Sequence, residues 1–198
     1  MALVQQNLVP GTGDQLITLD TQTNLEWLNL TATANLSYLE VLGGAGGYTT
    51  TYGFRYATGA EIALLLQHAG ITKYGIAQVV PFPQSNHVAM ETLIQLMNGT
   101  SLNSSTASGS VLVQTQGMMR FRGPGVPTPV TLMSVQQLWL FKNNPGSSYA
   151  DTNPAGPAGK RFPEIGSYLV RDRVMPVGSP SRGRSTKSAK SRRTSKRK

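Results

Sequence analysis

The stretch LITLDTQTNLEWLNL, residues 16–30, decides how this chain folds. Two short apolar runs, 16–19 and 25–30, enclose Asp20-Thr21-Gln22-Thr23-Asn24, a sequence of turn-forming side chains. Leu28, Asn29 and Leu30 alternate apolar and polar, the period of a half-buried strand. Residues 15–30 therefore read as a β-hairpin. Ahead of it, residues 1–14 end in the turn-prone Pro10-Gly11-Thr12-Gly13-Asp14 and read as an N-terminal arm.

Downstream, the clearest helix is expected over 58–68. Thr58 with Glu61 three residues later is a capping box, which satisfies two backbone N–H groups that a first turn leaves open. Ile62, Leu65, Leu66 and Ala69 fall at helical spacing, and Gly70 supplies the left-handed residue that ends many helices. A second helix is expected over 87–97, with Met90, Leu93, Ile94 and Met97 inward and Asn98-Gly99 as its stop. Gly43 to Gly47 reads as a flexible connection, since no Lys-Ser/Thr follows it to hold a phosphate.

Residues 98–110 are rich in Ser, Thr and Gly and read as a polar loop. Strands are expected over 111–116, 118–122, 130–133, 137–141 and 167–171, with Gly117 making a tight hairpin or bulge. The span 142–162, holding Pro145, Pro154 and Pro157, reads as a long loop. The chain is thus expected to be α+β and β-rich, with two helices in its first half. Residues 15–173 form the body and 174–198 a flexible basic tail.

Charge divides at the same boundary. Of 18 Lys and Arg, nine lie between Ser179 and Lys198, where Asp and Glu are absent; the other nine balance nine acidic side chains. The tail cations are Arg182, Arg184, Lys187, Lys190, Arg192, Arg193, Lys196, Arg197 and Lys198. Ser, Thr, Gly and Pro separate them, and no large apolar residue can seed a core, so the segment is expected to be disordered alone. Its random-coil reach is roughly 25 Å. Such a tether binds polyanions by releasing condensed counterions, and without aromatic residues it is not expected to read bases.

Cys is absent, which excludes disulfides and thiolate metal sites. No signal-peptide pattern opens the sequence and no apolar run is long enough to cross a bilayer, so a virion or cytoplasmic setting is expected, or an extracellular one if a leader was lost.

Three blocks carry a resemblance: LITLDTQTNLEWLNLTATANLSY (16–38), GFRYATGAEIALLLQHAGI (53–71) and GSYLVRD (166–172). Their order resembles the secreted domain that precedes PEP-CTERM sorting tails in exosortase-containing bacteria. More distantly they are similar to the Lcl-type C-terminal domain, which is C-type-lectin-like. The matching positions are Thr23, Leu25 and Trp27; Arg55, Ala57, Thr58 and Glu61; and Leu169, Val170 and Arg171. Asn24 stands where these families carry Gly, a mild change because Asn tolerates positive φ. Residues 72–165 carry no part of the resemblance.

The resemblance implies a fold that pairs its first and last strands, here 26–28 with 168–170, places two helices early and presents a long variable loop region. After Asp172 such proteins continue into a Pro-Glu-Pro motif and an apolar span. This chain has Val174-Met175-Pro176-Val177-Gly178 and then cations, so sorting by that route is not expected.

Side-chain chemistry points away from catalysis. His68 and His87 lie on the two expected helices without a metal-ligand or carboxylate spacing, and a polar-face or capping role suits both. Neither Gly109-Ser110 nor Gly146-Ser147 sits in a nucleophile elbow. Asp151-Thr152-Asn153-Pro154 is only a faint echo of a calcium-dependent sugar site, so no metal or cofactor is expected. The sequons at Asn29, Asn35, Asn98 and Asn103 are of chance frequency in so Ser/Thr-rich a chain. Trp27 reads as a core anchor, as does Trp139. Arg55, Thr58, Glu61 and Arg171 read as structural, with the two arginines pairing Glu26 or Glu61. The expected protein is a non-enzymatic structural or binding component of a virion or surface assembly. Its loops at 98–110 and 142–162 would face a protein partner or like subunits, and its tail an anionic surface. The alternative is a nucleic-acid-associated protein acting through the tail.

Overall fold

In a computed structural model the chain is described over residues 2–72, 84–104, 111–120, 132–141 and 149–173. Its first sheet grows from the hairpin expected at 15–30. Strands β2 (Ile17–Asp20) and β3 (Leu25–Leu28) pair antiparallel, and Asn24 in the turn takes φ 58°. β1 (Leu3–Gln6) adds to the outer side of β2, so the segment read as an arm contributes an edge strand. On the other side β3 pairs β10 (Leu169–Asp172), with Val170 opposite Trp27, and β4 (Arg55–Tyr56) completes the order β1-β2-β3-β10-β4.

The half-buried reading of 28–30 needs correction: the strand stops at Leu28, Asn29 and Leu30 are fully buried beyond it, and both faces of β2 and β3 are covered. All four residues of β2 are buried, and in β3 only Leu25 is partly open. One face carries Trp27 and Val170 against Ile62, Leu65 and Leu66 of α2 (Gly59–Ala69) and Met90, Leu93 and Met97 of α3 (Gln84–Met97). The other carries Ile17, Leu28 and Leu169 against Tyr38 and Val41 of α1 (Tyr38–Leu42), with Phe54 and Tyr56 beside them. Each fully buried aliphatic side chain of this kind stabilises the fold by about 1.5–3 kcal/mol relative to exposure.

Helix α2 starts at the expected Thr58–Glu61 box and ends with Gly70 at φ 98°. The short α1 makes three α-helices among the described residues rather than two. It opens on a second capping box, Ser37 with Glu40. Gly43 caps its end and Ala45–Gly47 form a 3₁₀ turn where a flexible connection was expected.

The second sheet departs most from expectation. β5 (Ser101–Ser104) lies inside the expected polar loop, and β8 (Tyr149–Pro157) inside the expected long loop. β6 (Val111–Met119) runs straight through Gly117 without a hairpin, and β7 (Leu132–Phe141) joins two expected strands into one. The order is β5-β6-β7-β8, all antiparallel, with β9 (Gly166–Ser167) parallel to β6. Gly117 serves close packing: a β-carbon there would lie 2.5 Å from the Tyr168 ring and 2.7 Å from Leu30. The architecture is therefore α+β with antiparallel sheets, and residues 174–198 lie outside the described residues.

Candidate functional site

Several charged side chains of the body tie elements together. Arg55 on β4 donates through Nη1 and Nη2 to both oxygens of Glu61 on α2, at 3.0 and 2.6 Å. The same carboxylate accepts from the Thr58 backbone N–H and hydroxyl, each at 2.8 Å. Arg55, followed by the bonds from Thr58, holds Glu61 at about 2, well under its ordinary 4.5. One carboxylate thus caps a helix and anchors an edge strand.

This arrangement occurs twice. Glu40 on α1 accepts from the Ser37 backbone N–H and hydroxyl at 2.9 and 2.8 Å, and Arg161 forks onto both its oxygens. Arg161, then Ser37, lowers the Glu40 carboxyl to about 2. A third arginine crosses the first sheet: Arg171 Nε donates to Glu26 Oε2 at 2.8 Å and Nη1 to the Tyr52 carbonyl at 2.8 Å. Its guanidinium carbon lies 4.6 Å from the centre of the Phe54 ring. The two arginines singled out from sequence thus take one glutamate each.

His68, at the end of α2, sets Nδ1 2.7 Å from Oδ2 of the buried Asp20. Asp20 also accepts from the Gln22 and Thr23 backbone N–H groups and so closes the β2–β3 turn. Burial raises the Asp20 carboxyl, but the bonds from His68, Thr23 and Gln22 outweigh it and leave it below its ordinary value. Sequence reading missed this pair because the two residues are 48 positions apart; the only signal was a His in the last turn of a capped helix. Asp14 is similar in kind. Burial pushes it up, yet the Thr12 hydroxyl and the N–H groups of Leu16, Leu8 and Val9 hold it at about 2.

Trp27 is fully buried, edge-on to Tyr168 with ring centres 6.4 Å apart. Its indole N–H and the Tyr168 hydroxyl are both buried, and neither has a hydrogen-bond partner among the described residues. Asn29, one of the sequon residues, is also fully buried, its amide donating to the Gln15 carbonyl at 2.9 Å.

Strands β5 and β8 take up part of each stretch expected to face a partner as a loop. Ser104 stands opposite Val111, Leu112 opposite Phe141, and Trp139 opposite Tyr149. Ser104, Val111, Phe141 and Tyr149, the strand ends that bound 105–110 and 142–148, therefore lie at the same end of the sheet, and both of those segments lie outside the described residues. On β6, Gln116 donates to Gln114 at 2.8 Å and accepts from Gln137 on β7 at 3.2 Å, an amide ladder that sequence reading did not single out. The nine tail cations, Arg182 to Lys198, also lie outside the described residues.

Among the described residues no cluster of His, Asp and Glu could hold a metal ion, and no helix is long and apolar enough to cross a membrane. Comparison of the chain with protein-family models, with curated proteins and with solved structures found no match.

Proposed function

We propose that this chain is a non-enzymatic structural or binding protein. Its neutral, C-type-lectin-like body would present the 105–110 and 142–148 connections to a protein partner or like subunits. Its basic tail would hold the body on an anionic surface, as in a virion or surface assembly. The observation that carries the reading is the use of charge. Arg55, Arg161 and Arg171 are each spent on a glutamate of another element, while the whole net charge of +9 is left to the tail. The lectin-like part is supported by the pairing of β3 with β10 and by the three sequence blocks that resemble the domain ahead of PEP-CTERM tails.

The rival, a nucleic-acid-associated protein, rests on the same nine cations. Salt titrations of the full chain against duplex DNA and against poly-glutamate separate the two. A tail that grips any acidic surface binds both polymers, with affinity falling steeply as salt rises. Binding to DNA alone favours the rival, and binding to neither at low salt contradicts both.

A further inference from the structure

The outer edge of the first sheet carries a self-complementary register. Thr21 donates to the Ala2 carbonyl through its backbone N–H and its hydroxyl, both at 2.8 Å. In an antiparallel pair the direction of the backbone groups alternates, so Val4 and Gln6, like Ala2, turn N–H and C=O toward β2. Leu3 and Gln5 turn theirs outward, and among the described residues no strand pairs with that edge. Residues 2–7 contain no charge and no proline, the usual guards of an exposed edge. Val4, at the middle, is 46% exposed, while Leu19 opposite it on β2 is buried.

Consider a second copy running antiparallel along this edge, with the two-fold axis at Val4. Leu3 then stands opposite Gln5 of the copy, and Gln5 opposite Leu3, so the outward N–H and C=O groups of both chains form four hydrogen bonds. Val4 meets its own equivalent at a non-hydrogen-bonded position, where facing Cα atoms approach to about 4.5 Å and side chains touch. A shift of one residue sets outward groups opposite inward ones and forms none of these bonds.

We propose that the chain forms an isologous dimer through β1, joining two five-stranded sheets into one. The strand has only four residues, so the contact is small beside the roughly 1,600 Å² of a standard interface and the dimer is concentration-dependent. This dimer uses neither the tail nor the second sheet, and it stands apart from the reading of those parts.

Sedimentation equilibrium of the full chain, in salt high enough to screen the tail, tests the proposal. The expected mass rises with concentration from 21.2 kDa toward twice that value. Gln5→Pro removes an outward N–H and none that β2 uses. Val4→Lys places two like charges at the axis and alters an already exposed side chain. Each is expected to weaken dimerisation at least tenfold while circular dichroism and thermal melting show a folded chain. If Gln5→Pro fails to fold, Val4→Lys decides. A parent chain that stays monomeric, or folded variants that all dimerise as the parent does, would overturn the proposal.

Discussion

At the scale of single residues, the buried polar atoms make the sharpest demands. The Tyr168 hydroxyl is buried with no partner among the described residues, and burial moves its ionisation upward. An unpaired buried hydroxyl is a net cost, so Tyr168→Phe should stabilise the protein by about 1 kcal/mol. A urea titration checks this; a loss of stability would mean that the hydroxyl has a partner in solution. Gly117→Ala makes the opposite demand, since its β-carbon would drive into the same ring and into Leu30. Overpacking of this kind costs about 1–3 kcal/mol, and a shift of the urea midpoint reads it. In sequence Gly117 reads as a tight hairpin or a bulge, because Gly serves turns, bulges and close contacts alike. Nothing local distinguishes these uses, and only the close approach of Tyr168 and Leu30 to Gly117 shows which applies.

Elements are held by capped helices and arginine forks. Thr58→Ala removes the cap of α2 and should cost about 1 kcal/mol in chemical denaturation. The pH dependence follows from Glu61 and Glu40, each held at about 2 against an ordinary 4.5. Because folding depresses these values, the stability they contribute is present above pH 4.5 and is lost as pH falls through 2. The urea midpoint should drop across that window, and Glu61→Gln should flatten the drop. A midpoint independent of pH there would contradict the account. The Thr58–Glu61 box was legible because a long apolar periodicity follows it. Ser37 and Glu40 have the same spacing, but only five helical residues follow, too few to show a period. β5 and β8 were read as loops for a related reason. Ser, Asn, Gly and Pro disfavour strands locally, and the pairing of β5 with β6 and of β8 with β7 overrides that preference.

For the whole molecule, the hairpin and the two longer helices are legible because apolar periodicity and capping mark them within a few residues. The single closing strand expected over 167–171 is instead two short strands, β9 beside β6 in the second sheet and β10 beside β3 in the first. The pairing of β3 with β10 joins positions more than 140 residues apart; it was expected from the resemblance and not from periodicity. The strand order of the second sheet and the Asp20–His68 pair had no comparable signal. The central claim is that the body is a neutral, self-contained fold and that polyanion binding resides in the tail. Its most direct test compares the full chain with a chain ending at Gly178 in a salt titration against duplex DNA. The full chain should bind at low salt, with a slope of log K against log salt no steeper than ~8, and the shorter chain should not bind. Equal binding by both would place the polyanion site on the body and contradict the account.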